Sequence, residues 1–130
     1  MAPEKKVVKA AKAPQAIGPY SVAITAGHWI FTAGQLGIDN TKNDLVSGGI
    51  EAETRQALMN LQNILESTGS SLQNVVKTTV FLRDMNDFSV MNSVYAEFFT
   101  SEPPARSTVQ VAALPKGAAV EIEAVAILTS

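Results

Sequence analysis

Residues 105–128 read ARSTVQVAALPKGAAVEIEAVAIL, and the fold turns on them. Two strand-like runs flank Leu114-Pro115-Lys116-Gly117, a turn signal. Side chains alternate along a strand. In the first run Arg106, Thr108, Gln110 and Ala112 therefore point one way, and Ser107, Val109, Val111 and Ala113 the other. In the second run Val120, Ile122, Ala124 and Ala126 share a face, opposite Glu121, Glu123, Val125 and Ile127. If residues 114–117 are the whole loop, Ala113 pairs with Ala118, Gln110 stands opposite Glu121, and Thr108 opposite Glu123. That register gathers both polar sets, Arg106 included, on the face away from the helices. Val125 and Ile127 make this face too apolar for an open sheet, and self-association is the simplest cover.

Upstream, Ala16-Ile17-Gly18-Pro19 is a turn signal leading to Tyr20. Residues 20–26 read as a strand, Gly27-His28 as a turn, and residues 29–33 as the hairpin partner. A loop rich in Gly, Asp, Asn and Ser is expected over 34–49. Ile50, Thr54, Ala57, Leu58, Leu61, Ile64 and Leu65 then recur at helical spacing, and Gly69 ends the run. Residues 75–82 (VVKTTVFL) are rich in β-branched side chains and predict a strand. A second helix follows, capped by Asn86 or Asp87, with the stripe Phe88, Met91, Val94, Tyr95, Phe98 and Phe99. The expected order is β-β-α-β-α-β-β, an α+β two-layer domain with one mixed sheet and both helices on one face.

The chain has 130 residues, enough for one domain with its own core. Charged residues make up 17% and hydrophobic ones 46%, against about 25% charged in ordinary domains. Such a chain either has an unusually large core or hides surface against other subunits. No cysteine and a single histidine, His28, leave no disulfide framework, no thiol nucleophile and no Cys- or multi-His metal site. The net charge of −2 argues against a nucleic-acid binder. No run is long and apolar enough for a membrane span, and no secretory h-region follows the N-terminus. Residues 1–12 read as a flexible segment or a short edge strand at Val7-Val8, and 13–130 as a single domain. Lys5, Lys6, Lys9 and Lys12 raise a mitochondrial targeting remnant as the alternative to a cytoplasmic protein.

By spacing alone, Arg106 is either a surface ion-pair arginine or a clamp for a carboxylate or phosphate. Glu121 and Glu123 are either solvated strand positions or paired carboxylates for acid–base work. Tyr20 is either a packed strand residue or a site residue, and Asn92 an exposed helix residue or a ligand contact. His28 is a solvated turn residue. No G-x-S-x-G elbow and no phosphate loop occurs.

The run Pro104-Ala105-Arg106-Ser107, then Val111-Ala112-Ala113-Leu114-Pro115-Lys116-Gly117, then Val120-Glu121-Ile122-Glu123-Ala124-Val125-Ala126, resembles the signature of the RidA (YjgF-type) imine/enamine deaminase family. Ala13-Pro14, Ala16-Ile17-Gly18-Pro19-Tyr20, Gly34-Gln35, Val75-Val76-Lys77-Thr78-Thr79-Val80 and Asn86-Asp87-Phe88 extend the likeness over almost the whole chain. The resemblance implies a chorismate-mutase-like fold and a homotrimer with a central barrel and clefts between subunits. It also implies hydrolysis of 2-imino or 2-enamino acids to 2-keto acids and ammonia, with no metal and no cofactor. Within it, Arg106 corresponds to the carboxylate-binding arginine and Glu121 to the glutamate that orients or activates water. Tyr20, Ala33, Gly34, Asn92 and Thr108 fall on cleft-lining positions. Thr108 stands where many relatives have cysteine, and Ala33 where many have serine. The alternative function is a non-catalytic trimer that binds small carboxylates or acts as a chaperone; RNA cleavage is a third reading, disfavoured by the charge.

Overall fold

In the computed structural model, which describes residues 4–129, the chain runs β1 (Lys5–Val7), β2 (Ala23–Ala26), β3 (Trp29–Thr32), β4 (Gln35–Leu36), β5 (Ile38–Asp39), β6 (Asp44–Leu45), α1 (Gly49–Glu66), β7 (Val75–Leu82), α2 (Phe88–Phe98), β8 (Ala105–Gln110) and β9 (Val120–Ile127). This is the expected α+β order. Met1, Ala2 and Pro3 of the N-terminal segment lie outside the described residues, and Lys5–Val7 is an edge strand paired with β2. Residues 20–22 do not join the second strand. The 34–49 stretch is more ordered than a loop: β4 pairs with β9, and β5 and β6 form a small ribbon.

The sheet order is β1-β2-β3-β9-β7-β8, with β4 beside β9. Helix α2 joins β7 to β8 as a parallel crossover. The expected terminal hairpin does not form, because β7 lies between β8 and β9. Residues 111–119 arch over the end of β7, where Val111 N–H donates to the Leu82 carbonyl and Arg83 N–H to the Ala119 carbonyl. Gln110 and Val120 both pair with Leu82, Val109 and Glu121 with Phe81, and Thr108 and Ile122 with Val80. This differs by one residue from the simple hairpin, and one residue in a period of two reverses a face. Arg106, Thr108 and Gln110 therefore share the helix side with Val120 and Ile122, while Glu121 and Glu123 face away.

Both helices cover one face. From α1, Leu58, Leu61, Ile64 and Leu65 are fully buried against Ile30, Val80 and Ile122, each burial worth about 1.5–3 kcal/mol. Gly69, at φ +85°, ends the turn after α1. The turn before α2 is capped by Asp84, whose Oδ1 accepts the Asn86 N–H; Asp87 precedes the helix without a side-chain cap bond. The opposite face carries Val7, Ile24, Phe31 and Val125 in one cross-strand row. Trp29, Phe31, Val109 and Ile127 are exposed there, which makes this face apolar as expected. Among the described residues no helix is long and apolar enough to cross a membrane.

Candidate active site

Arg106 sits on β8 at the edge of the sheet, under α2. Register places it beside Thr78 of β7. Its guanidinium carbon lies 4.7 Å from the Tyr95 ring centroid and 5.6 Å from that of Phe88. Among the described residues no acid pairs with it; the ion pairs found join Arg55 to Glu51 and Glu97. Tyr95 is buried, and its hydroxyl is 2.7 Å from Thr78 Oγ1. Burial holds the Tyr95 phenol above its ordinary pKa, against the opposing pull of Thr78 and Arg106. Asn92 precedes Tyr95 by one helical turn, and Thr108 follows Arg106 on the same strand face. Asn92 Oδ1 and Thr108 Oγ1 are buried without a hydrogen-bond partner, an unmet demand that proteins ordinarily avoid. A cleft lined by Asn92, Tyr95, Ala96, Phe99, Pro104 and Arg106 opens at this corner.

Glu121 belongs to a second cluster, on the other face. Phe81 and Leu36 are its neighbours on either side. From Phe31, paired with Val125, to Gln35, paired with Ile122, one strand takes four steps and the other three. The extra residue makes a bulge over 32–34 and presents the Gly34 backbone to Glu121: a Cβ on Gly34 would stand 2.7 Å from Glu121 Cδ. Burial raises the Glu121 pKa, and the Glu123 charge adds to the rise. Leu36, Ile38 and Ala118 form a small separate core beneath this segment. Asn60 secures it by donating from Nδ2 to the carbonyls of Leu36 and Ile38. Ala33 N–H donates to the Val22 carbonyl, which ties the Tyr20 segment to the same corner. Tyr20 itself is exposed, and its hydroxyl accepts the Ile17 N–H.

The candidate residues thus divide. Asn92, Arg106 and Thr108 lie on the helix side; Ala33, Gly34 and Glu121 gather at the bulge, and Tyr20, exposed two residues before Val22, is not brought to Glu121 within one subunit. Arg106 and Glu121 are separated by two strand spacings and three residues, about 10 Å in each direction, and project from opposite faces. The expected single polar face holding both is corrected by the placement of β7. Phe88 was legible as a core stripe residue but is exposed beside Arg106. Helical spacing assigns Tyr95 to the core as well, and no periodicity distinguishes a ring that packs from one that also receives a cation. Among the described residues no three His, Cys, Asp or Glu side chains converge as a metal site.

Residues 10–128 match the family model described as endoribonuclease L-PSP. The chain is 52% identical to a human 2-iminobutanoate/2-iminopropanoate deaminase, over 95% of this chain and 90% of that one. Among solved structures, a Thermotoga maritima protein described as a putative endoribonuclease superposes with a TM-score of 0.92 at 46% identity, covering 96% of this chain and 98% of the other. Escherichia coli TdcF with bound serine gives 0.91 at 37% identity, covering 95% and 99%.

Proposed function

Because this chain belongs to the endoribonuclease L-PSP family, and within it to the RidA group, we propose that it hydrolyses 2-imino and 2-enamino acids such as 2-iminobutanoate and 2-iminopropanoate to 2-keto acids and ammonia, without a cofactor. The observation that carries the reading is the Arg106 corner. A guanidinium with no acid partner lines a cleft together with Asn92, whose Oδ1 is unpaired, and the unpaired Thr108 hydroxyl lies two residues along the same strand face. A small molecule with a carboxylate next to an N–H group answers both demands. The serine named with TdcF is a ligand of that kind, and the human relative's name supplies the reaction class.

The carboxylate of the substrate binds the Arg106 fork in a charge-assisted pair. A protonated imine is already electrophilic, so holding it against a poised water supplies much of the acceleration. Glu121 takes a proton from that water as it attacks the imine carbon. The carbinolamine then collapses: Glu121 returns its proton to the nitrogen, the C–N bond breaks, and the hydroxyl proton passes to the departing ammonia as the C=O forms, so that keto acid and ammonium leave. Burial and the Glu123 charge raise the Glu121 pKa, which makes its carboxylate a stronger base for such an exchange.

One subunit keeps Arg106 and Glu121 on opposite sheet faces. The reading therefore includes a homotrimer in which the apolar sheet faces pack together and each cleft takes Arg106 from one copy and Glu121 from the next. The row Val7, Ile24, Phe31 and Val125 supports that packing. A cytoplasmic setting, with the mitochondrion as the alternative raised by the N-terminal lysines, belongs to the same proposal and is tested by cell fractionation.

The test couples the protein to a threonine dehydratase and follows 2-ketobutyrate while semicarbazide traps the imine. Faster keto-acid release and less semicarbazone are expected. No acceleration over buffer, with calorimetric binding of 2-ketobutyrate retained, would replace the enzyme by a carboxylate-binding module.

A further inference from the structure

The Arg106 head is held by rings rather than by acids. We infer that Tyr95 is a positioning residue for the substrate's carboxylate anchor: its ring, held by burial and by Phe99, fixes the Arg106 guanidinium with its face. The inference rests on Arg106 binding the carboxylate, as proposed above.

Three contacts hold Tyr95. It is 5% exposed, its hydroxyl lies 2.7 Å from Thr78 Oγ1, and its ring centroid is 4.6 Å from that of Phe99. Thr78 is itself 1% exposed and is the register neighbour of Arg106. The hydroxyl is thus engaged with the strand beside Arg106, and the ring face is left to the guanidinium 4.7 Å away. Phe88, two turns earlier on α2, touches the same cation at 5.6 Å.

This arrangement solves a specific problem. An arginine side chain has several rotatable bonds, and a ligand that must order it loses affinity. An acid at position 95 would order it too, but would occupy its N–H fork and compete with the substrate. An aromatic face attracts the cation through its quadrupole while leaving the in-plane N–H donors free. Tyr95 therefore orients the charge without consuming it. Losing the ring loosens the anchor without removing it, so binding, which the ground and transition states share, weakens while the bound substrate still reaches the water and turnover at saturation holds.

The experiment measures the Kd for 2-ketobutyrate by calorimetry and saturated turnover in the coupled assay. Tyr95→Leu should weaken binding by about tenfold, while saturated turnover stays within about twofold. Tyr95→Phe keeps the ring and should bind within about twofold of wild type. If Tyr95→Leu does not fold, Phe88→Leu, at an exposed position, should weaken binding several-fold by removing the second ring. An unchanged Kd in Tyr95→Leu overturns the inference, as does an unchanged Kd in Phe88→Leu where Tyr95→Leu is unfolded. So does Tyr95→Phe weakening binding as much as Tyr95→Leu, because the hydroxyl and not the ring would then act on Arg106. Arg106→Ala is measured alongside. If it abolishes binding while Tyr95→Leu leaves binding unchanged, the positioning role alone falls. If Arg106→Ala binds like wild type, the anchor reading and the positioning role both fall.

Discussion

The carboxylate arm of Glu121 rests on the bare α-carbon of Gly34: a Cβ at position 34 would lie 2.7 Å from Glu121 Cδ and 2.9 Å from its Oε2. The contact arises from the bulge over 32–34, which brings backbone rather than a side chain against the acid. Gly34→Ala therefore pushes on the far end of a flexible side chain and not on the core. The expected outcome is a folded protein whose kcat/KM falls by up to about 10²-fold, the scale of an ångström-sized misplacement of a reacting group. Wild-type kcat/KM in the coupled assay, with an unchanged urea midpoint, would show that the seat of Glu121 does not matter to the reaction.

Burial and the neighbouring Glu123 charge lift Glu121 above the ordinary 4.5. A carboxyl whose folded pKa is raised holds its proton more tightly folded than unfolded. Its contribution to stability is therefore greatest below the unfolded value and declines as pH rises through the folded one. In the proposed mechanism activity moves the other way, because Glu121 acts as a base when ionised. Glu123→Gln removes the neighbouring charge that adds to the rise, so the acidic limb of kcat/KM should move to lower pH with the plateau retained. A profile from about pH 4 to about pH 8 measures it; an acidic limb that stays in place would remove Glu121 as the titrating group or Glu123 as its neighbour.

Strand and helix periods were enough to read the β-β-α-β-α-β-β order, because each long element carries its own apolar repeat. Which strands touch is set elsewhere. Residues 114–117 read as a tight turn, yet Lys116 adopts φ 59° and the wider 111–119 arch spans β7. Nothing local to those residues reveals the intervening strand. The consequence is large, since the shifted register moves Arg106 to the helix side and separates it from Glu121. Local sequence pointed to Arg106 as a charged residue on a strand. Its aromatic seat depended on two positions of α2, Phe88 and Tyr95, which helical spacing alone assigns to the core.

Asn60 connects stability to the same site. It is fully buried and donates to the Leu36 and Ile38 carbonyls, while its Oδ1 accepts from Gln56. Asn60→Leu leaves two buried carbonyls unpaired, at about 1–3 kcal/mol each. The urea midpoint at fixed protein concentration should fall accordingly. Because β4 follows directly on Gly34, kcat/KM at temperatures where the variant is fully folded should fall as well. A large loss of stability with untouched kcat/KM would show that Asn60 supports the fold without setting the position of Glu121.

The division of Arg106 and Glu121 between two sheet faces allows a direct test of the proposed cleft between subunits of a trimer. Arg106→Ala and Glu121→Gln should each be inactive alone. In a mixed trimer, an Arg106→Ala subunit still offers Glu121, and a Glu121→Gln subunit still offers Arg106, so each mixed ring contains one junction with both groups intact. Unfolding and refolding the two variants together in equal amounts should restore about a quarter of the wild-type clefts, read as about a quarter of wild-type turnover. If each subunit held its own complete site, mixing would restore nothing, and the mixture would stay as inactive as its parts. Charging the apolar row with Phe31→Lys in both variants should abolish the recovery as well, since the subunits then no longer pack face to face. Recovery that survives Phe31→Lys would locate the shared junction away from that sheet face.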